Sequence, residues 1–269
     1  MKKYLVNWKL CFGFAALMMS ASCKKENNNN ANSVNLPVVQ AYLIPGSPIT
    51  VKLYQQKALS DTALYGPPIT GQQVYISDGS TKILLTESPA GTYTSNNNSF
   101  LVTGNTYTLQ FNYLGNAVSA STVMPPKPLN FATSYGTINI SSTTTGPNTT
   151  IYDRLSWDNP DSLNNVLVFL NPDEKDFPLN NFGLSFRPFN FTINTNRSSY
   201  YNLTQNIFPY YGPYQIILFN VNQEFIDVLN SNTKSATSSN LVNIPTNINN
   251  GFGVFTAMQT DTVSLNVFD

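Results

Sequence analysis

Between Thr106 and Tyr113 every second residue is large and apolar: Tyr107, Leu109, Phe111 and Tyr113 alternate with Thr106, Thr108, Gln110 and Asn112. A period of two puts the two sets on opposite faces of an extended chain, so this stretch is expected to be a strand with one face buried and one wet. The same signal recurs through the first half. Val38, Gln40 and Tyr42 lead into Pro45-Gly46, a type II turn pair, and then into Ile49 to Leu53, where apolar and polar residues alternate. Gln73 to Ile76 and Ile83 to Leu85 flank Asp78-Gly79, a pair that favours tight hairpin turns. Ala117 to Val123, following Gly115-Asn116, is the expected partner of the Thr106 strand. Short strands spaced by turns, with no helical period between them, predict an immunoglobulin-like antiparallel sandwich over residues 36–125.

Met124-Pro125-Pro126-Lys127-Pro128 breaks that pattern, because proline removes ladder donors and stiffens the chain. A second β-rich domain with one short helix is expected over 126–269. Its predicted strands are Asp153 to Trp157, Val166 to Leu170, Tyr214 to Val221, Gly253 to Ala257 and Thr262 to Phe268. The nearly continuous apolar run of Tyr214 to Val221 predicts a strand covered on both faces. Asn222 then caps a helix through Leu229 that carries Phe225, Ile226 and Leu229 on one side. Ser141 to Thr150 reads as a loop.

The first 22 residues form a secretory signal. Lys2, Lys3 and Lys9 give the basic region, Leu10 to Met19 the apolar region, and Ser20-Ala21-Ser22 the small residues of a cleavage site. Cys23 follows directly, and this arrangement resembles the lipobox of bacterial lipoproteins, with Ser20 standing where the pattern usually has Leu. The resemblance implies that the Cys23 thiol takes up a diacylglyceryl group. The only other cysteine, Cys11, lies in the signal, so the exported chain has no partner for a disulfide. Residues 23–35, with Lys24, Lys25, Glu26 and Asn27 to Asn30, contain little to bury and read as a tether. Lys24 in the second mature position is expected to favour the outer membrane. The charged stretch after Cys23 also resembles the surface-export signals of Bacteroidetes lipoproteins.

Fourteen basic and fourteen acidic residues balance in the full chain, and losing three lysines with the signal leaves 11 against 14. A mildly acidic chain lacks the concentrated basic face that nucleic acid requires, so no nucleic-acid partner is expected. Charged residues make up 10% of the chain, and about one residue in seven is Asn. The polar surface is therefore built from neutral amides and hydroxyls.

No histidine occurs anywhere, which removes imidazole-based triads and His-ligated metal centres. With Cys23 lipidated, thiol chemistry goes as well. Paired carboxylates remain for an enzyme, but Asp158, Asp161, Asp173, Glu174 and Asp176 cluster in turns and lack the burial that raises a general acid's pKa. They read as solvated turns rather than a calcium loop, because the spacing is not that of an EF-hand and Pro160 and Pro172 interrupt the clusters. No catalytic residue, metal ligand or cofactor is expected, and the chain is read as a non-enzyme. Asn250-Gly251-Phe252-Gly253 lacks the lysine and helix of a phosphate loop and reads as a turn before a strand.

Several stretches carry a family resemblance: VVQAYLIPGSPITVKL from Val38, PPITGQQVYI from Pro67, AGTY from Ala90, VTGNTYTLQFNYLGNAVSASTVMPP from Val102, SWDNPDS around Trp157 and NINNGFGVF around Gly251. Their order and spacing resemble the Bacteroidetes lipoprotein family DUF4249, whose function is undetermined. The resemblance implies an exported lipoprotein, with genes often neighbouring TonB-dependent outer-membrane receptors.

Aromatic residues are dense from Phe182 to Tyr214. The phenylalanines are expected in a core, whereas Tyr200, Tyr201, Tyr210 and Tyr211 are candidates for stacking on sugar rings or a protein partner. Asp61-Thr62-Ala63, Asp161-Ser162-Leu163 and Asp261-Thr262-Val263 resemble a three-residue O-glycosylation pattern of Bacteroidetes exported proteins. The leading functional expectation is a lipid-anchored outer-membrane binding or accessory component beside a TonB-dependent receptor. The alternative is a cell-surface adhesin or structural sandwich protein.

Overall fold

A computed structural model describes residues 35–57, 62–141, 150–173, 179, 188–232 and 245–269. Among the described residues the chain is all-β with one short α-helix, and Leu36–Asp269 forms a compact unit of its own. Cys23, the signal segment, Glu174, Asp176, Phe182 and Phe186 lie outside the described residues, as does most of the Ser141 to Thr150 loop.

The first half is an immunoglobulin-like antiparallel sandwich. Strands β1 (Val38–Leu43) and β2 (Ile49–Tyr54) form a hairpin. Its turn closes through the Ser47 N–H donating to the Ile44 carbonyl at 3.1 Å. Gly46 takes the left-handed φ of 83° there, as a type II turn requires. Strands β3 (Tyr75–Ser77) and β4 (Lys82–Leu84) pair across the Asp78-Gly79 turn. Short strands β5 (Thr86–Glu87) and β6 (Thr92–Ser95) extend the hairpin sheet through β2. Strands β7 (Thr106–Tyr113) and β8 (Asn116–Val123) complete the opposite sheet, ordered β4-β3-β7-β8. Val39, Val51 and Tyr93 from one sheet and Ile76, Leu109 and Val118 from the other share one apolar core. The alternating residues of β7 fall as expected, with Tyr107, Leu109, Phe111 and Tyr113 buried.

The second half contains β9 (Leu129–Thr133), β10 (Thr137–Asn139), β11 (Ile151–Asp158), β12 (Asn164–Leu170), β13 (Phe191–Asn194), β14 (Tyr200–Thr204) and β15 (Gly212–Val221). Helix α1 (Gln223–Asn232) and strand β16 (Phe252–Phe268) follow. A second core gathers Trp157, Phe169, Leu203, Tyr214, Ile216 and Leu265 between the β14-β11-β9 sheet and the large sheet. The reverse face of β15 is covered only near its end, where Val221 and Phe219 meet Ile226 and Phe225 of α1. The expectation of a strand buried on both faces therefore holds there alone, since Gln215 is exposed.

Strand β16 corrects the sequence reading most. Two closing strands were expected, yet Phe252–Phe268 is one continuous strand of 17 residues. Its first part runs parallel to β1, from Val38 opposite Phe252 to Leu43 opposite Ala257. Its remainder pairs antiparallel with β15, and its end pairs with β10. One sheet thus runs β13-β12-β15-β16-β1-β2-β6-β5 across both halves. The proline break at 124–128 lies between β8 and β9, and β16 spans it with Phe255 in the first core and Val267 in the second. Gly253 makes the start of this pairing possible. Its φ is 100°, and a Cβ there would overlap the Val39 carbonyl oxygen.

Candidate functional site

Strands β13 and β14 lie at the edges of different sheets, and the turn that joins them frames a cleft of about 440 Å³. Asn196 and Arg197 hold left-handed φ values of 53° and 65°, and the Ser198 N–H donates to the Thr195 carbonyl at 3.2 Å. A half-buried amide, backed by two buried ones, fixes this turn from beneath. The Asn159 side-chain amide donates to the Arg197 carbonyl at 3.1 Å and to Asn165 Oδ1 at 2.7 Å. Asn165 Oδ1 also accepts the Trp157 indole N–H at 3.2 Å, while the Asn165 amide donates to Asn220. A fully buried amide with its partners in place holds one geometry, because breaking any bond leaves a desolvated polar group.

Tyr200 stands at the rim of the cleft, 48% exposed. On the same face of the sheet, the Arg154 guanidinium carbon sits 4.9 Å from the centre of the Tyr200 ring. Arg154 Nε also donates to Asn202 Oδ1 at 2.9 Å. The cation is therefore held by both a ring and an amide, which orients all three side chains at once. Asn194, Asn196 and Asn202 supply further amides, and among the described residues no carboxylate lines the cleft. Such a surface offers a flat aromatic face beside neutral donors and acceptors, the chemistry that suits polyhydroxylated or amide-rich ligands.

The four tyrosines expected at a contact surface separate. Tyr200 and Tyr201 both line the cleft, with Tyr201 half-buried against the second core and its hydroxyl pKa raised by that burial. Tyr210 is only 4% exposed and stacks on Phe189 at 4.5 Å, so it belongs to the interior. Tyr211 donates its hydroxyl to the Ile140 carbonyl at 2.8 Å, and burial together with the nearby Asp269 raises its pKa. Tyr210 and Tyr211 lie in the stretch from Phe208 to Pro213 and were candidates for a contact surface. Ring burial against Phe189 and the second core turns Tyr210 and Tyr211 inward instead.

Sequence reasoning missed a second polar concavity of about 580 Å³ on the outer face of the β4-β3-β7-β8 sheet. There Lys82 Nζ lies 4.3 Å from the Tyr75 ring centre and donates to Gln110 Oε1 at 3.2 Å. Its signal was the glutamine and asparagine at the outward positions Gln110 and Asn112 of β7. The one buried carboxylate among the described residues, Asp153, was also not singled out. It accepts the Ser134 N–H at 2.9 Å, the Arg154 N–H at 2.6 Å and the Tyr135 and Gly136 N–H groups at 3.3 Å. The Thr133 hydroxyl donates to it as well. These bonds clamp the β9–β10 turn and occupy the carboxylate. Asp158 and Asp161 are exposed, and Asp158 accepts the Asn130 amide at 2.6 Å.

The fold and its clefts define an all-β sandwich protein whose described residues form two large apolar cores and a smaller one, with concave surfaces lined by amides and tyrosines. The chain belongs to the family described as a domain of unknown function, DUF4249, whose model matches residues 28–264. Among curated proteins no sequence matches it. Among solved structures it is similar to the chicken CNTN1 FN1-FN3 domains, at 13% identity and a TM-score of 0.28. That match covers 87% of this chain and 65% of the other, so the chain spans just under two thirds of its length. Among the described residues no helix is long and apolar enough to cross a membrane.

Proposed function

We propose that this protein is an exported, lipid-anchored binding component of the outer membrane, accessory to a TonB-dependent receptor. In this reading it holds a neutral polyhydroxylated ligand, such as a segment of glycan, at the Tyr200 cleft. The observation that carries the reading is the half-exposed Tyr200 ring, already oriented by Arg154 and flanked by Asn202. An aromatic face stacks on the apolar face of a sugar ring, while amides and a guanidinium satisfy its hydroxyls. The lipobox-like Ser20-Ala21-Ser22-Cys23 supports the anchor, and the family resemblance supports the receptor.

Calorimetric titration with a panel of soluble oligosaccharides tests the cleft. At least one is expected to bind, and Tyr200→Ala is expected to weaken it by about tenfold, the scale of losing one aromatic contact. Equal affinity in the variant, or no binding across the panel, sinks the ligand assignment. Co-purification from detergent-solubilised membranes tests the partnership separately, and repeated recovery without a TonB-dependent receptor would overturn it.

A further inference from the structure

An apolar groove of about 400 Å³ opens where the described chain begins. Val38 of β1, Phe252 of β16, Tyr54 of β2, and Leu64 and Tyr65 of the following loop form its walls. Leu64 is 82% exposed, and Tyr65 and Phe252 are 42% and 38% exposed. A lone exposed leucine is ordinary, but apolar residues gathered from three strands and a loop make a patch that calls for an occupant.

The loop is held in this posture. The Tyr54 and Tyr65 rings stack at 4.7 Å and within 8° of parallel, and Lys52 Nζ lies 5.6 Å from the Tyr65 ring centre. The Gln55 N–H donates to the Pro67 carbonyl at 2.8 Å, and the Lys57 amine donates to the Ala63 carbonyl. Leu64 therefore stands exposed between two held neighbours, Ala63 and Tyr65.

The position of the groove indicates what covers it. Gln56 Nε2 donates to the Leu36 carbonyl at 3.1 Å, and the Phe252 N–H donates to the Pro37 carbonyl at 2.8 Å. The chain that leads back to Cys23 therefore departs from the rim of the groove. Only 12 residue steps separate Cys23 from Asn35, a reach of at most ~43 Å when fully extended. The side chains are those of an interfacial anchor: Leu64 and Phe252 suit the acyl boundary, and the tyrosine rings suit the headgroup layer. Lys52 and Lys57 flank them with positive charge, and among the described residues no carboxylate lines the groove.

We infer that this groove is a membrane-contact surface, in which Leu64, Tyr65 and Phe252 seat in the headgroup–acyl boundary of an anionic bilayer. The inference rests on the lipid-anchored reading above, because the anchor at Cys23 supplies the high local concentration that lets a weak interfacial contact orient the protein.

The test uses residues 23–269 carrying Cys23→Ser, so that no lipid is attached, with vesicles of phosphatidylethanolamine and phosphatidylglycerol. Cosedimentation should show measurable partitioning, and the double variant Leu64→Ser/Tyr65→Ser, with an unchanged thermal transition, should partition about tenfold less. Equal partitioning of the two proteins overturns the inference. So does a dimer in sedimentation equilibrium that the double variant loses, since the occupant would then be a second copy. Mass spectrometry of the N-terminus of unsubstituted protein from its own membranes reports independently on the anchor, so failure of the groove and failure of the anchor are distinguishable.

Discussion

Thr122 donates its hydroxyl to the Glu224 carboxylate at 2.7 Å, across 102 residues of chain. The same oxygen accepts the Asn222 side-chain amide at 2.9 Å and the Ala257 N–H at 3.1 Å. One hydroxyl, only 4% exposed, thereby joins β8, the start of α1 and β16. Thr122→Val preserves the shape and removes all three bonds, leaving buried groups without this partner. The expected loss is about 2–4 kcal/mol, measured by urea unfolding. A variant as stable as the parent would show that the junction contributes nothing to holding the two halves together.

The strands of the first half were legible because each has one wet face and one buried face, so burial imprints a period of two on β1, β2, β7 and β8. Strand β16 was not. Its residues Val254 to Gln259 are all buried, whereas Leu265 and Val267 alternate with wet neighbours. A strand that leaves a doubly covered environment for a singly covered one changes its pattern midway, and the sequence then looks like two strands. The parallel pairing of β1 with β16 leaves no local trace, because partners such as Val38 and Phe252 stand 214 residues apart in sequence.

Glu87 gives the fold an acid-sensitive turn. Its carboxylate accepts the Gly71 N–H at 2.7 Å and the Gly91 N–H at 2.8 Å, and these bonds hold its pKa below the ordinary glutamate value near 4.5. A group whose folded pKa is lowered stabilises the fold fully above the unfolded value. That contribution is lost as pH falls below about 4.5 and through the lowered folded value. Glu87→Gln is therefore expected to be less stable than the parent at neutral pH and to approach it as pH falls. Thermal melts across this range check the prediction, and a constant gap between the two proteins would contradict it.

The candidate site was legible only in part. Density of aromatic residues pointed to Tyr200 and Tyr201, which line the cleft, but also to Tyr210 and Tyr211, which ring stacking and a carbonyl partner draw inward. The asparagines that fix the cleft escaped notice because a buried Asn and a surface Asn look alike in a chain whose polar face is mostly amide. Asp153 had a readable signal. It shares the inward positions of β11 with Leu155 and Trp157, and a carboxylate there must find donors.

Tyr214 sits at the opposite end of the pH scale. Its ring is fully buried, and its hydroxyl donates to the Tyr210 carbonyl at 2.8 Å. Burial pushes its pKa up from 10 to about 12, because the phenolate would lose its water. The folded state thus favours the neutral phenol, so the stability is complete below the unfolded value and is lost as pH rises from about 10 towards 12. Two pKa units correspond to about 2–3 kcal/mol. At neutral pH Tyr214→Phe should cost about 1 kcal/mol for the lost hydrogen bond. With rising pH the parent loses stability that the variant keeps, so the gap between them should close and then reverse before the phenol ionises in the fold. Urea unfolding of both proteins at matched alkaline pH follows that crossing, and parallel losses in the two would mean that Tyr214 titrates as freely in the fold as in the unfolded chain.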